Sequence, residues 1–262
     1  MQKKIAVIND LSGYGRCSLT VAIPVLSVMG HQCCPVPTAI LSNHTEFPVY
    51  FFDDYTEKMT AYTDKWKELG LSFDAVATGF LGSEAQIEIV MDMIRKLESE
   101  ETFVVVDPVM GDHGHAYETY TPEMCEQMKE LVCMADIVLP NVTECCILTD
   151  TPYKKENWTR RELLNMAMML RLMGAKSVVI TGVREGSYYT NVVLERGQME
   201  AKFIRTRSSG GERPGTGDVF SSVVAGALLN GKSLPEAVAQ AAGFVKECIK
   251  VSDEEQIPHA NG

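Results

Sequence analysis

Basic residues are the first shortage: 24 Lys and Arg stand against 35 Asp and Glu, a formal net charge of −11. A surface of that sign does not gather nucleic acid or anionic lipid, where affinity comes largely from Lys and Arg neutralising phosphates. Any phosphate bound here must be met locally, by backbone N–H groups at a helix N-terminus and by a bridging divalent cation. Long apolar runs are also missing. Nothing approaches the ~20 apolar residues of a membrane span, and the Ile-Ala-Val-Ile that follows Met-Gln-Lys-Lys is too short for a signal peptide. The expected location is the cytoplasm. The eight cysteines include the adjacent pairs Cys33-Cys34 and Cys145-Cys146 but no Cys-x-x-Cys, which disfavours zinc ribbons and thioredoxin chemistry. They are expected as reduced, mostly buried thiols. No Gly-x-Ser-x-Gly offers a serine nucleophile, and no His-Glu-x-x-His offers a zinc-protease site.

What is present is an ordinary folded composition, 45% apolar and 23% charged over 262 residues, enough for one large α/β domain or two small ones. Short, nearly continuous apolar runs predict strands at Ile5–Ile8, Phe73–Ala77, Phe103–Val106, Ile137–Leu139 and Val178–Ile180. Strands of this kind are covered on both faces. Helical spacing at Ile87–Leu97, Pro122–Val132 and Arg160–Met173 supplies crossover helices between them, which implies a parallel sheet sandwiched by helices. Tyr188–Leu194 and Met199–Ile204, joined through Glu195-Arg196-Gly197, predict an antiparallel hairpin at the sheet edge. A glycine-rich loop over Ser208–Gly217 then leads into helices at Asp218–Leu229 and Leu234–Val251, the second capped by Ser233. His31–Tyr50 reads as a strand followed by a loop or small flap near a ligand. With no repeat and no linker, residues 1–262 are expected to form one domain.

The strongest chemical signal is Arg213-Pro-Gly215-Thr216-Gly217-Asp218, a glycine-rich turn running directly into a helix. Small residues let backbone N–H groups approach phosphate oxygens, and the positive end of the helix dipole favours developing negative charge. Asp218, in the first turn, could accept the proton of an attacking hydroxyl; the plainer alternative is a helix start capped by Thr216 or Asp218. A second cluster, Asp107-Pro-Val-Met-Gly111-Asp112, stands at a strand end, where open α/β sheets bind ligands. Its two carboxylates could hold magnesium, largely through water; taken alone, Asp107 as a turn residue and Asp112 as a solvated charge is the plainer alternative. Asn141 and Glu144 stand at another strand end and could face the same metal and phosphates, although Asn141 is also a natural helix cap. The first strand runs into Asn9-Asp10-Leu-Ser12-Gly13-Tyr-Gly15. Its Gly-x-Gly suggests a dinucleotide fingerprint, but the third glycine position is Ser18, no acid follows at ribose distance, and the segment lacks the Gly-Lys-Ser/Thr of a Walker A loop. Asp10 and Ser12 could offer polar groups to a small substrate while the glycines allow a tight turn; a purely structural turn is the equal alternative. His113 and His115 have no cysteine at ligand spacing, and Met166–Met173 fits helix packing rather than a cofactor site.

Four segments in order, Ser42-Asn43-His44-Thr45, Thr78-Gly-Phe80-Leu-Gly-Ser83, Asp107–Asp112 and Gly215-Thr216-Gly217-Asp218, resemble the vitamin B6 kinases of the ribokinase-like superfamily, over nearly the whole chain. The resemblance implies a three-layer α/β/α sandwich with a mostly parallel central sheet and an antiparallel edge hairpin. It further implies ATP as co-substrate, Mg2+, room for a monovalent cation, and a homodimer. By that likeness Asp218 is the catalytic base and Gly215, Thr216 and Gly217 are the anion hole. Asp107, Asp112, Asn141, Glu144, Thr181 and Gly182 would serve ATP, with Asp107 and Glu144 toward the metal. Asp10, Ser12, Thr38, Ser42, Asn43, Thr45 and Phe80 would serve the vitamin. Asp10 stands where many pyridoxal kinases have serine, and Phe80 where they carry a hydroxylated aromatic; an aspartate favours a cationic amine such as pyridoxamine. Asp10-Leu-Ser12-Gly13 is also similar to the Asp-Pro-Ser-Gly of hydroxymethylpyrimidine kinases, so a pyrimidine substrate is the alternative. A non-catalytic vitamin-binding module is the third reading.

Overall fold

The computed structural model describes residues 2–97, 99 and 101–261. In chain order the elements are β1 (Lys4–Ser12), α1 (Ser18–Val28), β2 (Gln32–Leu41), β3 (Phe52–Asp54), α2 (Thr56–Glu68), β4 (Ala75–Thr78), α3 (Glu84–Leu97), β5 (Phe103–Val106), β6 (Gly111–Asp112), β7 (His115–Ala116), α4 (Pro122–Cys133), β8 (Ile137–Val138), α5 (Val142–Leu148), α6 (Arg160–Met173), β9 (Ser177–Glu185), β10 (Tyr188–Leu194), β11 (Lys202–Arg207), α7 (Thr216–Leu229) and α8 (Leu234–Glu254). Nine strands form one sheet in the order β11-β10-β9-β8-β5-β4-β1-β2-β3. The six from β9 to β2 run parallel. The β10–β11 hairpin and the short β3 are antiparallel at the two edges.

Alternation along each strand divides the core into two layers, because successive side chains leave opposite faces of a sheet. Ala6, Ile8, Val76, Val104 and Val138 pack with α3, α4 and α6 through Ile87, Ile94, Met128, Leu163 and Leu170. Ile5, Val7, Ala75, Val105 and Val179 pack on the other face with α1, α7 and α8 through Leu19, Leu26, Val224 and Ala241. This is the predicted α/β sandwich. Register then sets the working edge: Ile8 lies beside Thr78, Thr78 beside Val106 and Val106 beside Val138, so Asp10, Phe80, Asp107 and Asn141 all leave the same end of the sheet.

Several boundaries differ from the sequence reading. The second hairpin strand is Lys202–Arg207, not Met199–Ile204, because the chain from Glu195 to Ala201 is spent on a longer turn before pairing begins at Lys202 with Val193. The last long helix but one starts at Thr216 rather than Asp218, since Gly215 already forms its N-cap. The cysteines are all free, but only Cys17, Cys145 and Cys146 are buried and Cys133 is exposed. Cys33 and Cys34 stay half covered because β3 pairs with β2 only at Ala39–Leu41. Among the described residues no helix is long and apolar enough to cross a membrane.

Candidate active site

The turn into α7 is fixed by one close approach. Gly215 has φ +75°, and a Cβ there would stand 1.7 Å from the carbonyl oxygen of Arg16, so only glycine lets the turn lie against the segment that precedes α1. Thr216 donates its hydroxyl to the carbonyl of Arg213 at 2.9 Å, fastening the turn from within rather than capping the helix. The first N–H groups of a helix have no partner within it, and the space around Gly217 is open. Arg213, largely buried, holds the preceding loop to the C-terminal segment through Asp253 at 2.8 Å and the carbonyl of Ile257 at 3.1 Å.

Asp218 follows in the first turn of α7. Burial raises its carboxyl to about 6, and the charge of Asp10 raises it too; a backbone N–H from Ser18 and the amide of Asn9 work the other way. The Asn9 Nδ2 donates to Asp218 Oδ1 at 3.0 Å. A carboxylate with these neighbours remains ionised at neutral pH and is poised to take up a proton slightly below it.

Asn9 is a hub that sequence reasoning missed. Its Oδ1 accepts the N–H groups of Phe80 at 2.9 Å and Asp10 at 3.0 Å while its Nδ2 holds Asp218. One side chain thus ties the ends of β1 and β4 to α7. Gly79 is the condition for that, since a Cβ there would come 2.4 Å from Asn9 Nδ2. The sequence signal was a polar residue ending an apolar strand, one place before the acid that drew attention. The ladder between β1 and β2 is irregular at Asn9–Leu11, the kind of local shift that re-aims side chains beside a site.

Asp10 is buried at the end of β1. Its oxygens accept Ser12 Oγ at 3.0 Å and Ser18 Oγ at 2.6 Å. Burial raises its carboxyl above the ordinary value, opposed by these hydroxyls and by His44. Thr38 lies close by, its hydroxyl on the carbonyl of Phe80 at 3.0 Å. The flap after β2 is braced internally: Ser42 donates to Asn43 Oδ1 at 2.7 Å and accepts Phe51 N–H, and Asn43 reaches the carbonyl of Val49 at 3.0 Å. Buried His44 bonds the carbonyl of Ala260 at 2.6 Å, so the C-terminal segment touches the flap as well as the glycine-rich loop. Thr45 is exposed on the flap.

On the other side of the site, Glu144 takes N–H groups from Met110 at 3.0 Å and Asn141 at 2.8 Å, and Asn141 returns the bond by capping α5 at 2.9 Å. This capping box fixes the loop that carries Asp107. Burial, with the charges of Glu144 and Asp218, raises the Asp107 carboxyl well above its ordinary value; burial raises Glu144 likewise. Asn141 also bonds the carbonyl of Gly111 at 2.9 Å and bridges to Thr181. Thr181 and Gly182 face the single Asn191 in a bulge of β9, with Gly182 N–H on Asn191 Oδ1 at 3.1 Å. Asp112 is exposed in the β6–β7 hairpin, where His113 lies 3.8 Å from it and 3.6 Å from Glu212 of the glycine-rich loop.

Gly226–Ser233 has the residue pattern of a phosphate-binding loop, glycine, four residues, then Gly-Lys-Ser. Its first residues are instead the C-terminal turn of α7, and Lys232 bonds Gln240. A phosphate loop follows a strand and opens a helix; this one follows a helix, at the end remote from Asp218.

The family model for phosphomethylpyrimidine kinase matches residues 23–262. A structure from Bacteroides thetaiotaomicron, described as that of a candidate phosphomethylpyrimidine kinase and solved with pyridoxal, is 41% identical, covers 96% of this chain and 89% of its own, and superposes with a TM-score of 0.92. A pyridoxine/pyridoxal/pyridoxamine kinase of Bordetella avium is 26% identical over 93% of this chain and 84% of its own length. A hydroxymethylpyrimidine/phosphomethylpyrimidine kinase of Aquifex aeolicus is 30% identical over 68% of this chain and 67% of its own.

Proposed function

The chain belongs to the phosphomethylpyrimidine kinase family, and from that premise we propose that it is an ATP-dependent vitamin B6 kinase, phosphorylating the 5′-hydroxymethyl group of pyridoxal, pyridoxamine or pyridoxine. The observation that carries the chemistry is the Asp218 carboxylate, fixed by Asn9 and Ser18 beside the Gly215 turn. The substrate class rests on the pyridoxal held by the Bacteroides relative and on the Ser42–Thr45 flap. Hydroxymethylpyrimidine is the second reading, supported by the Aquifex relative, which matches a smaller part of the chain. Asp218 argues against a vitamin-binding module without activity. We read residues 1–262 as one kinase unit, of which Met1, Glu98, Glu100 and Gly262 lie outside the described residues.

In this mechanism the 5′-hydroxyl lies between Asp218 and the γ-phosphate. As its oxygen bonds to phosphorus, the bond from phosphorus to the β-phosphate oxygen breaks, ADP leaves, and the hydroxyl proton passes to Asp218. N–H groups of Gly215, Thr216 and Gly217, at the positive end of α7, meet the charge on the transferring group. Asn141, Thr181 and Gly182 lie along the strand ends where ATP would extend, with Asp112 at the rim. Asp107 and Glu144 fit magnesium in donor type: hard oxygens crowded enough that burial raises both. Among the described residues no three metal-binding side chains converge, which suits an ion that takes one or two carboxylates and completes its shell with water and phosphate. Both Glu144 oxygens already accept backbone N–H groups, so Asp107 would hold the ion and Glu144 would support the loop beside it. Magnesium, when bound, neutralises phosphate charge.

Cytoplasmic residence is supported by the eight free thiols. A homodimer is supported by the segment that leads into the edge strand β3, where Val49, Tyr50, Phe51 and Phe52 are exposed together. Sedimentation should give twice the chain mass; a monomer at assay concentration removes the dimer. Phosphorus NMR of the product made from MgATP and pyridoxine tests the reaction. A phosphomonoester on the 5′-oxygen is expected, and a phosphate elsewhere on the ring, or none, contradicts the reading.

A further inference from the structure

Ser18 opens α1 with φ +53°, in the left-handed region that disfavours any residue with a Cβ. Strain of this kind persists where the surroundings over-determine it, often at functional sites. Its hydroxyl donates to Asp10 Oδ1 at 2.6 Å, and its backbone N–H lies near enough to Asp218 to favour that carboxylate's charged form. Cys17, the N-cap of α1, supplies no side-chain bond; carboxylates from two other elements, the end of β1 and the start of α7, converge on the helix start instead. Glycine would supply the same N–H without strain. The backbone N–H near Asp218 therefore does not explain a serine, and the hydroxyl on Asp10 does.

We propose that Ser18 is a positioning residue for vitamer choice: its hydroxyl aims the Asp10 carboxylate at a substrate ammonium. Asp10 has two oxygens and two hydroxyl donors, Ser12 and Ser18. Without Ser18 the carboxylate turns about its remaining bond to Ser12, and an ammonium that needs a fixed partner loses more than a neutral hydroxymethyl group does. The inference rests on the vitamin B6 reading above.

The test is a double-mutant cycle in the full chain at saturating MgATP, with kcat and KM measured separately for pyridoxamine and pyridoxine. Ser18→Gly keeps the N–H and accepts φ +53°, so it retains the fold; Ser18→Ala removes the same hydroxyl and keeps the strain. Both are expected to lower the pyridoxamine-to-pyridoxine ratio of kcat/KM by about tenfold, the scale of one charge-assisted hydrogen bond, mainly through KM. In an Asp10→Ser background neither should change the ratio further. A merely structural role predicts an unmoved ratio in Ser18→Gly. That result, or an undiminished effect in the Asp10→Ser background, overturns the proposal while leaving the kinase reading standing. A wild-type protein that phosphorylates no vitamer would overturn both.

Discussion

Asp218→Asn is expected to bind MgATP and vitamer nearly as the wild type does while turnover falls roughly 10²–10⁴-fold, the range that one positioned general base contributes. The amide keeps the shape of the carboxylate and can still accept one of the bonds from Asn9 and Ser18, so the site stays built but has no acceptor for the proton. Wild-type kcat should decline as pH falls through about 6, where Asp218 takes up its proton; the variant has no such limb. Stability moves in the opposite sense. The folded protein holds the Asp218 proton more tightly than the unfolded chain does, so that contribution is complete below the ordinary aspartate range and is lost as pH rises through about 6. At neutral pH the buried charge then costs on the order of 2 kcal/mol, and Asp218→Asn should melt at or above the wild type at pH 7.5, with the advantage vanishing by pH 4. Near-normal turnover in the variant would remove the base assignment.

The second large effect is expected at Gly215. An alanine Cβ must displace the carbonyl of Arg16, and the left-handed backbone adds roughly 1–2 kcal/mol of its own. Relief moves either the Arg16–Ser18 segment, which carries one support of both carboxylates, or the start of α7, which carries Asp218. Gly215→Ala should therefore melt several degrees lower and lose at least about a hundredfold in kcat, since small misplacements of reacting groups are costly. Gly217→Ala separates space from strain. A Cβ there meets nothing within 4 Å, and alanine is the better helix former, so its melting temperature should hold or rise. Its added methyl enters the space assigned to phosphate, and KM for ATP should increase. Equal melting and equal kinetics in both variants would dissolve the anion-hole assignment.

How legible this was in the sequence depended on how local each feature is. Phe103–Val106 and Arg160–Met173 appear with the bounds read from their patterns, because an apolar run and a 3.6-residue period are themselves the cause of those elements. α1 and α2 were not read. α1 begins in a Gly-x-Gly loop and contains Pro24, and α2 buries little beyond Met59 and Thr63, so neither shows a clear apolar face. In the site, the acids and the glycine turn were visible because their residue types are unusual at strand ends. Asn9 was not: an amide that joins three elements is recognised only once residues 71 and 209 positions away are beside it. Ser18 is the instructive case. The fingerprint looked for a glycine there, and the backbone does adopt a glycine-like angle, but the residue present uses its side chain on Asp10.

The measurement that bears most directly on the whole account is steady-state phosphorylation by the purified protein with MgATP, comparing kcat/KM for pyridoxal, pyridoxamine, pyridoxine and hydroxymethylpyrimidine. A vitamin B6 vitamer is expected to be preferred by at least about tenfold over the pyrimidine, with pyridoxamine served as well as pyridoxal under the proposed role of Asp10 in meeting the substrate amine. Preference for hydroxymethylpyrimidine would contradict it and move the protein to the pyrimidine side of its family.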